Sequence, residues 1–583
     1  MKKILFIALM FLVLVNPTKS QNNNACQFVQ VLASDGFGGR KPGTPGIDKA
    51  AEYISKYFVS IGLTPLFEKG YQYFDVTTSI AMGDKNSFSY EGKSFTAGKD
   101  YNPETYSNDT TVNAAVVFAG YGFSINTNDL KWDDYQGLDV KNKWVIVLRG
   151  GPKDKGKKFF GKYTNDHAKM LAAKDKGAAG IILVTGAVQK KEDVLLPLPN
   201  ADSKSKSGFA AINMTRDAAN KILSGQGKTI EDLEKQLLKK QVPASFNLKG
   251  KLDVTLNIVP VKAHTANVAA CLMSSHPTDN YIVIGAHYDH LGMGGPGSGS
   301  RKPDTVAIHN GADDNASGTA MVMNLAGRFA SLKPDVNFNI IFVAFTGEEM
   351  GLLGSAYFVN HPPVGLKKIK MMFNFDMVGR LNEKHLLSVG GVGTFPEAEN
   401  ILKQDNDTSL LRLSFSKEGY GPSDHASFYG DSIPVLYFNT GVHGDYHTPS
   451  DDFDKINCKG MDLISDFTLK VITDISQNNY SLTYQEAGPK NKSSDRSGLK
   501  VTLGIMPDFA NQDIKGVMAA AVTPDGPAFR GGMQKGDIVV GMNGKPVNDI
   551  YEYMERLKAF SSGQTITVDV MRNQKKVVLL IQL

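Results

Sequence analysis

Between residues 281 and 439 the chain repeats one arrangement, a short apolar run that halts abruptly at a polar residue. "YIVIGA" stops at His287, with Asp289 two residues on; "NIIFVAF" stops at Thr346-Gly347 and then Glu348 and Glu349; "MMFNF" stops at Asp376. A further run, "IPVLYFNTG", follows the same pattern, and helix-like segments such as "ASGTAMVMNLAGRFASL" lie between the runs. Uninterrupted apolar runs alternating with helices are the pattern of parallel strands buried on both faces. The pattern predicts an α/β fold with a mixed, largely parallel central sheet flanked by helices. It also places each polar stop at the carboxyl edge of a strand, where open α/β sheets bind their ligands.

That block is part of a longer chain. With 583 residues the sequence exceeds one ordinary domain. Residues 1–20 combine Lys2 and Lys3 with the 12-residue apolar run "ILFIALMFLVLV" and then "NPTKS", which reads as a secretory signal. No later apolar run approaches the roughly 20 residues a membrane-spanning helix needs, so a soluble protein, exported to the periplasm or the medium, is expected. Loss of Lys2, Lys3 and Lys19 would leave a formal charge of +2 from +5, which gives no basis for a nucleic-acid partner. Three cysteines, Cys26, Cys271 and Cys458, are too few for a disulfide scaffold but allow one pair and one free thiol.

The expected organisation places the N-terminal part of the main α/β unit at 21–109, where "KAAEYISKYFVSIGL" has helical spacing. A small α/β insert occupies 110–250, and the remainder of the main unit 251–484. A polar linker, "YQEAGPKNKSSDRSG", falls within 484–498, and a β-rich module with an Asn543-Gly544 hairpin turn occupies 499–583.

The stretch "IHNGADDNASGTA" sets Asp313 and Asp314 side by side ahead of a helix. Adjacent carboxylates repel unless a cation is shared or one turns away. Asp314, with His287, Glu349, Asp376 and the His447 of "DYHTPSD", makes two imidazoles and three carboxylates without a thiolate, a set suited to catalytic zinc. One bridging carboxylate lets such a set serve two ions, and Asp314 is the candidate bridge. Asp313 reads as a supporting acid. Of His290, His309, His425 and His443 near these motifs, most read as ordinary polar residues.

Taken together, "HYD", "GADDNASG", "TGEEMGLLGS", "NFDMVG" and "YHTPSD" resemble the zinc aminopeptidases of peptidase family M28, co-catalytic two-metal exopeptidases. The resemblance implies two Zn2+ ions: His287 and Asp376 on the first, Glu349 and His447 on the second, Asp314 on both. It implies Glu348 as general base toward a water bridging the ions, and a cis peptide after Asp314. If the strand continues past His287, alternation puts Asp289 on the same side, where it would hold the second nitrogen of the imidazole. "GPSDHASFYGDSIPVLYF" resembles the family's substrate segment, so Asp424 and His425 are expected to contact substrate. The implied activity is hydrolysis of the first bond of peptides with a free amino terminus. A carboxypeptidase of the same family, a glutaminyl cyclase and a metal-free receptor are the alternatives; "GADDNASG" and the "EE" pair match the hydrolases, against the last two.

"FAGYGF", "DDYQGLDVKNKWVIVLRGGP" and "HAKMLAAKDKGAAGIILV" resemble a protease-associated (PA) insert, which implies either a substrate-access role or simple packing. The tail resembles a PDZ domain, with Leu503, Gly504 and Ile505 in the carboxylate-binding loop and "IYEYMERLKAF" as the groove helix. Such a groove would take a peptide C-terminus by strand addition.

Overall fold

The structure, a computed structural model, describes residues 25–127, 130–152, 160–196, 198, 208–478, 480–487, 501–507, 514–523 and 526–583. The expected signal segment and most of the expected linker lie outside these residues.

The four apolar runs form adjacent parallel strands in the spatial order Asn339–Phe345, Tyr281–His287, Ile369–Phe375, Val435–Asn439. Asn339–Phe345 is buried at every position, which is why its sequence shows no alternation. Antiparallel strands flank this centre: Ile258–Leu272 pairs with Asn339–Phe345, and Leu386–Gly390 pairs with Val435–Asn439. The sheet is therefore mixed, and its parallel part is the part that carries the polar stops.

One hydrophobic cluster joins this sheet to the helices Ala25–Leu32, Pro45–Ser60, Gly318–Leu332 and Cys458–Gln477. The first and last of these are bonded by a Cys26–Cys458 disulfide with Cα atoms 5.4 Å apart, across 432 residues of sequence, while Cys271 is a buried thiol. Among the described residues no helix is long and apolar enough to cross a membrane.

The insert hangs from the central sheet on a two-stranded ribbon, Tyr71–Met82 against Ile258–Leu272, paired from Val268↔Tyr71 to Ile258↔Met82 with a shift of register between Val261 and Lys262. Beyond the ribbon lies a second sheet of eight strands, with its own core around Trp144, Ile146, Ile182 and Ile212. The span expected for the insert, 110–250, lies inside this sheet. The sheet also takes in Ser87–Tyr90, Lys93–Phe95 and Tyr101–Pro103, and runs on to Leu256. Those early strands are three or four residues long, too short to show a period in sequence.

The C-terminal module is a small antiparallel sheet covered by Ile550–Lys558. Met542 pairs with Lys545 across Asn543 and Gly544, whose φ values of 46° and 72° fit the two-residue hairpin read from sequence. Leu503 is fully buried, Gly504 has φ +74°, and Ile505 opens the strand Ile505–Pro507, which among the described residues pairs only with Val517–Val522. The Gly504 amide donates to Thr502 Oγ1 at 3.0 Å, so within the expected carboxylate loop this N–H is already engaged.

Linking the first and last helices of the central-sheet unit restricts its unfolded chain, and loss of such a bond costs about 2–5 kcal/mol. Cys458→Ser should lower the denaturant midpoint of this unit, followed by tryptophan-independent circular dichroism, and reductant should bring the parent protein down to the same midpoint. An unmoved midpoint in both would show that the bond contributes nothing.

Candidate metal centre

Three of the expected ligands are fixed by the strands they end or follow, and the other two by a turn and a loop. His287 closes the strand Tyr281–His287, its carbonyl accepting from Thr319 Oγ1 at 2.7 Å. Asp376 follows Ile369–Phe375, its carbonyl accepting from Asn439 Nδ2 at 2.8 Å. Glu348 and Glu349 follow Asn339–Phe345 after Thr346 and Gly347, the latter at φ +71°. His447 is held by a Gly-rich loop, with Nδ1 3.1 Å from the Gly299 carbonyl, which leaves Nε2 for the centre.

Asp314 lies in the turn Ala312–Ser317, where Asp314 (φ −106°, ψ 95°) and Asn315 (φ −132°, ψ 46°) leave helical geometry and the bond between them is cis. Asp451 Oδ2 accepts the amides of both Asp313 and Asp314 at 3.0 Å, and Arg380 in turn holds Asp451 Oδ1 at 2.6 Å. Asn315 Nδ2 donates to the Phe375 carbonyl at 2.9 Å. At Gly318 any Cβ would sit 2.2 Å from that same carbonyl, so only glycine lets the turn approach the strand. Asp313 turns away from its neighbour and accepts from the Gly379 amide at 2.6 Å and from Ser317 Oγ at 3.0 Å, with His443 Nε2 at 3.1 Å.

The five side chains meet in one place. His287 Nε2 lies 3.5 Å from Asp314 Oδ1 and 3.6 Å from Asp376 Oδ1. His447 Nε2 lies 3.1 Å from Asp314 Oδ2 and 3.1 Å from Glu349 Oε2. Tetrahedral donors about 2.0–2.1 Å from a zinc ion stand about 3.3 Å from one another, so both sets have the spacing of ligands around a cation. Asp314 gives one oxygen to each set. His287 Nε2 is buried without a hydrogen bond, and Asp314 Oδ2 accepts none of ordinary geometry. The donor set, its spacing and these unmet atoms fit two divalent ions.

The electrostatics point the same way. Burial, opposed by His287, pushes Glu348 well above the usual carboxylate range, and burial together with Glu349 raises Asp314. Against its own burial, His447 is raised to about 11 by Asp314 and Glu349. A buried site so rich in carboxylate draws positive charge to itself.

Two expectations need correction. Asp289 does not hold the second nitrogen of His287 with its carboxylate, whose Oδ1 is 3.8 Å from Nδ1; the Asp289 backbone carbonyl is closer, at 3.2 Å. The strand ends at His287, so side-chain alternation no longer governs Asp289. Its carboxylate instead accepts the amides of Glu348 at 3.1 Å and Glu349 at 3.4 Å. His290, among the histidines read mostly as ordinary polar residues, is fully buried, and its Nδ1 lies 2.7 Å from Glu349 Oε1.

Asp424 is buried beside Glu348 with neither oxygen hydrogen-bonded in ordinary geometry, and burial pushes it up to about 7. His425 is buried too, its ring stacked on Tyr437 with centroids 4.3 Å apart, and burial lowers it to about 3. Tyr446 stacks on His447 at 3.9 Å; burial and the surrounding carboxylates keep its hydroxyl protonated.

Sequence reading missed Arg40. Its guanidinium is fully buried and donates to the carbonyls of Leu32 (2.6 Å), Tyr288 (2.7 Å), Asn310 (2.7 Å) and Gly311 (3.1 Å). It thereby ties the N-terminal segment to the residues flanking His287 and preceding Asp314. The only sequence signal was a cation inside the Gly/Pro-rich "GFGGRKPGTPG".

Residues 267–472 match peptidase family M28, and residues 492–583 match the PDZ domain. The chain is 26% identical over 363 residues to Aminopeptidase YwaD of Bacillus subtilis, covering 60% of this chain and 65% of that one. It is 33% identical over 210 residues to Leucine aminopeptidase 2 of Trichophyton rubrum, covering 34% of this chain and 39% of that one. The chain thus spans less than two thirds of the length of these relatives. A solved zinc aminopeptidase from Bacillus subtilis aligns with 79% of this chain and 97% of its own at 20% identity, with a TM-score of 0.47.

Arg40→Met should strand four buried carbonyls and remove a buried cation that faces Asp289 and Asp314, a loss of about 3–5 kcal/mol. Arg40→Lys should recover little, because one ammonium cannot reproduce the planar fork. Thermal unfolding of the metal-free proteins measures both; parent-like curves for Arg40→Met would refute this account.

Proposed function

We propose that this chain, which carries a peptidase family M28 domain and a PDZ domain, is an exported zinc-dependent aminopeptidase that hydrolyses the first peptide bond of substrates with a free amino terminus. The observation that carries this reading is Asp314, whose two oxygens each face a separate imidazole-carboxylate set. The aminopeptidase names of the relatives support the choice of reaction. The Cys26–Cys458 bond supports export, because such bonds persist in oxidising compartments.

In this reading His287, Asp314 and Asp376 hold one zinc ion and His447, Asp314 and Glu349 the other. Zinc bound there lowers the pKa of the attacking water and polarises the peptide carbonyl. The chain's own groups do the rest. Glu348, its amide fixed by Asp289, takes the proton of the attacking water and returns it to the leaving amine. Its buried position raises its hold on that proton between the two transfers. The protonated Tyr446 hydroxyl is a donor available to the developing oxyanion. Asp424 is a buried acid lacking a hydrogen-bond partner, and a substrate ammonium is the partner it lacks. In the tail, the edge strand Ile505–Pro507 is where a peptide C-terminus would add as a further strand.

A panel of free and N-acetylated peptides, with and without chelator, tests the reading. Hydrolysis should require the free amine and cease on chelation; chelator-resistant cleavage of acetylated peptides would overturn it. Glu348→Ala should keep its metal, measured by elemental analysis, while kcat falls by about 100- to 10,000-fold. Metal loss with full turnover in the remaining loaded enzyme would reverse the roles of Glu348 and Glu349.

A further inference from the structure

Glu349 is approached by two histidines, and the two contacts differ in kind. His447 Nε2 stands 3.1 Å from both Glu349 Oε2 and Asp314 Oδ2, the even spacing of donors that share a cation. His290 Nδ1 stands 2.7 Å from Glu349 Oε1 but 3.9 Å from Asp314 Oδ2. Donors on one tetrahedral zinc stand about 3.3 Å apart, so the first separation is too short and the second too long. A separation of 2.7 Å is that of a charge-assisted hydrogen bond.

The other ring nitrogen decides between the two. His290 Nε2 is buried and has no hydrogen-bond partner. Were Nδ1 a metal donor, Nε2 would carry the hydrogen as a buried, unsatisfied N–H. With the hydrogen on Nδ1, donated to Glu349, only a buried lone pair is left unmet, the smaller cost. The ring is also held in place from below: a Cβ on Gly311 would lie 2.5 Å from it, and the His290 amide donates to the Arg40 carbonyl at 3.3 Å.

We infer that His290 is a positioning residue: by donating from Nδ1 to Glu349 Oε1 it turns Oε2 toward His447 and Asp314, and so sets the affinity of the second cation site while leaving the first untouched. The inference rests on the two-cation reading above. It separates the sites because His287 and Asp376, on the first set, share no hydrogen bond with His290.

The test is a stepwise zinc titration of the full chain against a competing chelator, with circular dichroism and thermal unfolding of the metal-free proteins to establish folding. His290→Ala should weaken the second ion by about 10- to 100-fold, with the first unchanged. His290→Asn, whose side-chain amide can present an N–H near the place of Nδ1–H, should recover most of that loss. If Asn is as poor as Ala, His290 is a ligand and the inference fails. Equal weakening of both ions would mean a merely structural role, and no weakening in Ala would mean none. A parent protein that takes up only one ion would overturn the two-cation reading itself, and this inference with it.

Discussion

The arrangement on which the rest depends is one carboxylate placed between two imidazoles. Burying Asp314 with Glu348, Glu349 and Asp376 costs several kcal/mol per uncompensated charge. The chain meets that cost with directed donors. Asp451 gathers the amides that precede and include Asp314 and is itself neutralised by Arg380. Asp289 gathers the amides of Glu348 and Glu349. Two acids outside the candidate ligand set thus fix the loops of two inside it, Asp314 and Glu349. Arg40 places a buried positive charge behind the whole, which explains why the first residues of the catalytic unit must return to its centre.

Three of the five candidate ligands were legible because each follows the end of an apolar run, and a run's end is visible in sequence. His287, Glu349 and Asp376 needed only the parallel-sheet pattern to be brought to one edge. Asp314 and His447 needed the family resemblance, since neither ends a strand. The supporting groups were not legible, for a different reason. Arg40 acts on carbonyls of Tyr288, Asn310 and Gly311, some 250 residues away or more, and carbonyls carry no side-chain signature. Asp451 was in view inside "YHTPSD", but its task, accepting backbone amides, belongs to tertiary structure. The role first read for Asp289 assumed that the strand continued past His287; it stops there, and the alternation rule stops with it.

The insert illustrates how the same physics limits boundary reading. Its apolar strands Thr110–Ala119, Trp144–Leu148 and Gly180–Val184 are the ones visible in sequence, while the brief strands before them join the same sheet by antiparallel pairing that no local pattern announces. The ribbon that carries the insert continues a strand of the central sheet, Ile258–Leu272, which pairs with Asn339–Phe345 at its carboxyl end and with Tyr71–Met82 along the rest, while the insert's own strands form a separate sheet.

The C-terminal module closes this arrangement from the other side. The Arg556 guanidinium meets both oxygens of Asp175 at 2.8 Å, Lys174 pairs with the buried Glu552, and His167 stacks on Tyr551, all between the module's helix and the insert helix Asp166–Asp175. On the catalytic unit Lys535 binds the Gly430 carbonyl at 3.0 Å and Asp431 at 2.6 Å, at the carboxyl end of the helix His425–Gly430, where a cation is favoured. That helix starts next to Asp424, and Leu353–Asn360, which lines the same cleft against Met506 and Met518, starts four residues after Glu349. The insert is therefore held at two places, by the ribbon and by the module. Because the module rests on the far ends of helices that begin beside the candidate metal centre, its seat and the geometry of that centre are parts of one packed structure.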